Sequence, residues 1–183
     1  MKRRQLMYAG AAAVAATAGA GVAWWQIQPH AVTPAPGAAD ADGPSALQAF
    51  WQQSFDTPDG APLPMAGFAG KPLLVNFWAT WCPPCVEELP LIDRFHTDNR
   101  ARNWQVLGLA VDQPSSVRAW LQRSPLGFPV VMAGLQGTEL SKSLGNLAGG
   151  LPFTVVFDAG GRVLHRKSGA VSAEDLAQWA KLA

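Results

Sequence analysis

The only two cysteines in the chain stand three residues apart, in Trp81-Cys82-Pro83-Pro84-Cys85. Before them runs the apolar, β-prone stretch Leu73-Leu74-Val75-Asn76-Phe77-Trp78, and after them apolar residues recur at helical spacing, so a strand is expected to turn here into the first turn of a helix. Unpaired N–H groups and the positive end of the helix dipole favour an anion at that place. A thiolate at Cys82 should therefore form readily and act as the attacking sulfur. Cys85, one turn further in and on the same side, can reach back to close a disulfide and is the resolving sulfur. Glu88, three residues beyond Cys85 and on its helical face, is the candidate for proton handling, the alternative being a solvated helix glutamate like Glu87. A carboxyl partly buried there would have its pKa raised and could hold or pass the Cys85 proton. Glu87 points to another face and reads as a solvated helix residue.

Other chemistries for the pair are weighed by what they would need. Structural zinc requires four ligands, and no second Cys-x-x-Cys or suitably spaced His pair exists. A Cu(I) carrier holding its ion on the two thiolates, and a plain structural disulfide, stay open as alternatives. The peroxidatic pattern Pro-x-x-x-Thr-x-x-Cys is absent, because Thr80 lies two residues before Cys82 rather than three. Strong disulfide-donating oxidases often place a His between their cysteines, and Pro83-Pro84 offers no such cation, which favours a reductase over an oxidase.

Elements that must position the pair are legible on either side. Thr57-Pro58-Asp59-Gly60 is a turn signature, and with Phe50-Trp51, Ser54-Phe55 and Ala61 to Met65 it predicts a short N-terminal hairpin. Leu89, Ile92 and Phe95 continue the helix after Cys85, with a kink expected at Pro90 or, alternatively, a helix end there. Trp104 to Val111 reads as a buried strand, Pro114-Ser115-Ser116 opens a helix, and Phe128 to Met132 is a short strand. A short helix over Thr138 to Leu144 follows. Phe153 to Phe157 and Arg162 to Lys167 are strands joined across Asp158-Ala159-Gly160-Gly161. Ser172 with Asp175 forms a capping box for a last helix with Leu176, Trp179 and Ala180 on its buried face. Strands alternating with helices and closing on a hairpin imply an α/β domain with a mixed central sheet flanked by helices.

Composition bounds the rest. At 183 residues, 49% hydrophobic and 15% charged, the chain suits one globular domain with a tail. Lys2, Arg3 and Arg4 precede any folded region, and without them eleven basic groups face thirteen acidic ones, a balance that does not suggest a nucleic-acid surface. Leu6 to Trp25 form an uncharged apolar run of about 20 residues behind that basic cluster, long enough to span a hydrocarbon core. Residues 1–28 are thus expected to be a membrane anchor with its N-terminus in the cytoplasm. The alternative is a signal sequence that is cleaved, since Arg3-Arg4-Gln5-Leu6-Met7 is similar to a twin-arginine signal. Residues 29–44, rich in Pro, Ala and Gly, read as a flexible tether, and residues 45–183 as the folded domain. Either outcome places that domain on the periplasmic side of a bacterial inner membrane, where a disulfide persists and a reductant needs an outside supply of electrons.

Trp81-Cys82-Pro83-Pro84-Cys85 after Val75-Asn76-Phe77-Trp78-Ala79 resembles the thioredoxin superfamily, and within it the TlpA/ResA branch of membrane-anchored thiol–disulfide oxidoreductases. Also similar are the N-terminal hairpin, Glu88, and Gly150-Leu151-Pro152-Phe153-Thr154-Val155-Val156-Phe157-Asp158. The resemblance covers about residues 50–183 and implies a thioredoxin-like fold with a central insertion between Trp104 and Gly150. It implies a cis proline at Pro152 against the disulfide, with the Leu151 backbone free to pair with an incoming peptide and Trp81 at the rim. Asn76 stands where thioredoxin has a buried aspartate, which shifts proton handling to Glu88 or water. No prosthetic group or metal is implied. Protein disulfides of apocytochromes c or of copper-site assembly proteins are the implied substrates, and a DsbD/CcdA-type membrane thiol transporter the implied electron donor. The periplasmic cytochrome c maturation reductase carries an acidic residue after its cis proline, where this chain has Phe153.

Overall fold

The computed structural model of the chain describes residues 44–182. The predicted anchor or signal and nearly all of the predicted tether lie outside them. Among the described residues no helix is long and apolar enough to cross a membrane.

Helix α1 (Pro44–Trp51) comes first, followed by the hairpin of β1 (Ser54–Asp56) and β2 (Pro62–Pro64). The hairpin is the expected one, with Gly60 at φ 87 closing the turn. Phe50 and Trp51 differ from expectation, since they end a helix instead of leading into a strand. Their reason is packing: Phe50 stacks on Phe157 with ring centroids 5.5 Å apart, and Trp51 Nε1 donates to the Gly161 carbonyl at 3.1 Å. Docking the two aromatics on the far hairpin fixes α1.

The central sheet holds β3 (Leu73–Trp78), β4 (Gln105–Ala110), β5 (Val130–Met132), β6 (Phe153–Phe157) and β7 (Val163–Ser168), in the spatial order β5-β4-β3-β6-β7. β3, β4 and β5 run parallel, while β6 is antiparallel to β3 and β7 to β6. All six residues of β3 are buried, as a central strand covered on both faces requires. Alternation along it sorts two cores. Leu74 and Trp78 face a cluster with α2 (Pro83–Asn99), α3 (Pro114–Arg123) and α5 (Ala173–Trp179). Leu73, Val75 and Phe77 face the other cluster, with α1 and α4 (Gly137–Ser143).

Helix α2 runs unbroken through Pro90, so the reading in which that proline ends the helix does not hold. Its face of Cys85, Glu88, Leu89, Ile92 and Phe95 is buried against the sheet. That contact outweighs the one hydrogen bond the ring removes. The helix and strand α3 and β5 make the insertion, and the Ser172–Asp175 capping box is formed as expected.

Gly137 joins the insertion to α4 by close approach. A Cβ there would lie 2.7 Å from both Ala133 Cβ and Val111 Cγ2, in a buried corner with nothing flexible to yield. Gly137→Ala is expected to destabilise the domain by about 1–3 kcal/mol. Urea unfolding should show a lower midpoint at unchanged slope; an unchanged midpoint would mean that the corner opens freely.

Candidate active site

Parallel β3 and β4 send their carboxyl ends to one edge of the sheet, and antiparallel β6 begins at that same edge. The chain leaves β3 through Ala79-Thr80-Trp81 and enters α2 at Cys82, the N-cap residue. Thr80 pins this turn: its N–H and Oγ1 both donate to Asp112 Oδ2, at 2.8 and 2.6 Å. Asp112 follows β4 and was not singled out from the sequence, because a partner 32 residues away leaves no local signal.

Cys82 and Cys85 are joined in a disulfide, S–S 2.03 Å, and the pair is nearly closed off, with Cys82 5% exposed and Cys85 fully buried. Trp81, at 66%, stands out beside them, whereas Trp78 is buried and packs edge-on against Trp120 at 5.1 Å. The exposed edge of the pair is therefore Cys82.

The first turn of α2 corrects one expectation. Pro83 and Pro84 carry no N–H, and the N–H groups of Cys85 and Val86 both donate to the Cys82 carbonyl, at 3.1 and 3.2 Å. The side chain of Cys82 makes no cap hydrogen bond. A thiolate there feels the helix dipole without the direct donors assumed from a free helix end.

Across the site, the Leu151–Pro152 bond is cis and Pro152 is buried. Leu151 packs against the cluster that contains both cysteines. Among the described residues its backbone N–H and C=O take no hydrogen bond, the condition for pairing with a docked strand.

Glu88 is 3% exposed, while Glu87 is exposed to solvent. Its Oε1 accepts from Asn76 Nδ2 at 2.7 Å and its Oε2 from the Val171 N–H at 2.6 Å. Asn76 Nδ2 also donates to Thr154 Oγ1 at 3.0 Å, and Asn76 Oδ1 has no partner. Burial pushes the Glu88 pKa up to about 7; the two hydrogen bonds and the positive charge of Lys167 pull against it without cancelling it. Thr154, Val171 and Lys167 escaped sequence reading, since each lies more than 60 residues from Glu88. Among the described residues no group of three or more His, Cys, Asp or Glu is placed to hold a metal.

A dithiol that closes and opens at the start of this helix, over a buried carboxyl that titrates near neutrality, defines a thiol–disulfide oxidoreductase with a thioredoxin-like fold. The chain belongs to the Redoxin family, whose model matches residues 39–181. It is 27% identical over 124 residues to the thiol-disulfide oxidoreductase ResA of Bacillus thuringiensis subsp. konkukian, covering 67% of this chain and 69% of that protein. Among solved structures it is similar to a thioredoxin-family thiol:disulfide interchange protein from Chlorobium tepidum, at 32% identity and TM-score 0.61, covering 71% of this chain and 91% of that one. A thioredoxin-related protein from Neisseria meningitidis serogroup B matches at 27% identity and TM-score 0.63, over 71% and 97% of the two chains.

Proposed function

We propose that the protein reduces protein disulfides on the periplasmic side of the bacterial inner membrane, held there by residues 6–25. The Cys82 thiolate attacks one sulfur of a substrate disulfide, and the other substrate sulfur leaves as a thiol after taking a proton. Cys85 then gives its proton to Glu88 and attacks Cys82 Sγ, which releases the second substrate thiol and closes the Cys82–Cys85 disulfide. Two electrons pass to the substrate in each cycle. Trp81 and the free edge at Leu151 beside Pro152 would seat the peptide that carries the disulfide.

One observation supports this direction above the reverse. With Pro83 and Pro84 at the helix start and the next two N–H groups taken by a carbonyl, the first turn of α2 offers no free backbone N–H to a Cys82 thiolate. A strong oxidant owes its potential to a heavily stabilised reduced form. Here the backbone contributes only the dipole, which favours a dithiol that gives up its electrons more readily.

Outside the cytoplasm the spent disulfide needs a donor, for which a membrane thiol transporter of the DsbD/CcdA type fits. Oxidised cysteines of apocytochromes c or of copper-site assembly proteins fit as substrates, being pairs that must be reduced before they can bind. Equilibration of the full chain in thiol/disulfide buffers, read by alkylation and mass, tests the direction. A potential near roughly −270 mV is expected. One near about −120 mV would make the protein a disulfide donor.

A further inference from the structure

One transverse row of the sheet is polar under α2. Asn76 on β3 is the Cα partner of Thr154 on β6, and Thr154 that of Lys167 on β7. Directly opposed residues in a sheet send their side chains to the same face. All three therefore point to the side where Glu88 lies, and the first two already share hydrogen bonds with it or with each other. Lys167 is the outer member of the row, its side chain 31% exposed. Its ammonium is paired with Asp175, the third residue of α5, while its positive charge acts through space on Glu88. Asp175 is itself fixed: its Oδ2 accepts from the Ser172 N–H at 2.7 Å and from Ser172 Oγ at 2.8 Å. The groups that face Glu88 are then neutral Asn76 from β3, neutral Thr154 from β6, cationic Lys167 from β7, the Val171 N–H from the β7–α5 connection, and Cys85 on its own helix. Among the described residues Lys167 is the one full charge facing Glu88, and Asp175 is what offsets it.

We propose that Lys167 and Asp175 are positioning residues for proton transfer at Glu88, the Asp175 carboxylate anchoring the Lys167 ammonium and the pair together setting the field in which Glu88 takes and releases the Cys85 proton. The proposal rests on the reading of Glu88 as the proton acceptor for Cys85. It assigns Asp175 a role in the reaction besides capping α5. Lys167 alone would hold Glu88 ionised and leave it a weak base; Asp175 tempers that pull so that the carboxyl can alternate. Removing either charge thus moves Glu88 in opposite senses.

The test uses the full chain with two readouts, a carboxyl ¹³C NMR titration of Glu88, assigned by its loss in Glu88→Gln, and the pH–rate profile for reduction of insulin disulfides. The wild-type midpoint is expected at about 7. Lys167→Gln should raise it and Asp175→Asn should lower it, each by roughly half a pH unit, the size of a through-space effect partly screened by solvent. Ser172→Ala breaks the capping box but leaves the Lys167–Asp175 pair. It should lower thermal stability and leave the midpoint where it was, the readout that a merely structural role for Asp175 would not separate. Midpoints that stay fixed, or that move the same way in both charge variants, overturn the proposal alone if Glu88→Gln has flattened the pH–rate profile. A Glu88→Gln profile identical to wild type overturns the reading beneath it as well.

Discussion

A Cys85→Ser protein should stop halfway, accumulating as a mixed disulfide between Cys82 and its substrate. Accessibility sets the order of events: Cys82 keeps 5% of its surface exposed beside the protruding Trp81, while Cys85 has none. Only Cys82 can meet a disulfide on another protein. In the proposed cycle Cys85, held one helical turn away, makes the second displacement an intramolecular step of very high effective concentration. A serine cannot replace the sulfur, so release must wait for an external thiol and turnover should fall on the order of 10³-fold or more. Non-reducing electrophoresis and mass spectrometry of the trapped adduct provide the check, with Cys82→Ser as the partner that traps nothing. Unchanged turnover in Cys85→Ser would mean that the second thiol is dispensable, as in a binding module. Adducts forming through Cys85 in Cys82→Ser would reverse the two roles.

What the sequence discloses about this site is what lies close along the chain. The Cys-Pro-Pro-Cys stretch, the strand before it, the first turns of the helix after it and Glu88 one turn on are all within 16 residues of Leu73, so periodicity and spacing place them. The same holds for the closing hairpin and the Ser172–Asp175 cap. Resemblance, not spacing, supplied the cis state of Pro152, which the structure has. Helix α1 was missed because Leu47, Phe50 and Trp51 span too few turns to show a period beside a Pro/Gly-rich tail, and its stability comes from Phe157 and Gly161, more than 100 residues on. Apart from Asn76, the environment of Glu88 comes from residues distant in the chain. Sheet register aligns Thr154 and Lys167 with Asn76, and the loop after β7 brings the Val171 N–H to the carboxylate. The missing donors at the Cys82 end were in view as Pro83 and Pro84, but the use of the Cys85 and Val86 N–H groups by one carbonyl is a matter of backbone geometry.

Glu88→Gln should make the protein more stable and less active, with both effects confined to a defined pH range. The carboxyl titrates at about 7 when folded, against an ordinary value of 4.5. A raised carboxyl pKa means that the folded state holds the proton more tightly than the unfolded chain. The contribution to stability is therefore full below about 4.5 and is lost as pH rises through about 7. The loss amounts to about 3 kcal/mol, the order set by burying an ionised carboxylate at 3% exposure. His96 acts in the opposite sense near the same range, since burial lowers its pKa and its contribution falls as pH falls. The difference between variant and wild type removes that term. The glutamine side chain introduced by Glu88→Gln is neutral at every pH and has a place to put its amide: with the Asn76 amide turned over, the unpartnered Oδ1 accepts from the new NH₂ group while the Thr154 hydroxyl donates to the same oxygen. Urea unfolding should thus find the variant close to wild type at pH 4 and more stable by up to about 3 kcal/mol at pH 8. Resolution by Cys85 should slow by about 10²-fold at neutral pH and lose its inflection near 7, since an amide accepts no proton. A variant that is less stable than wild type at pH 8 and keeps the inflection would show that Glu88 holds Asn76 and Val171 in place and takes no part in moving the proton.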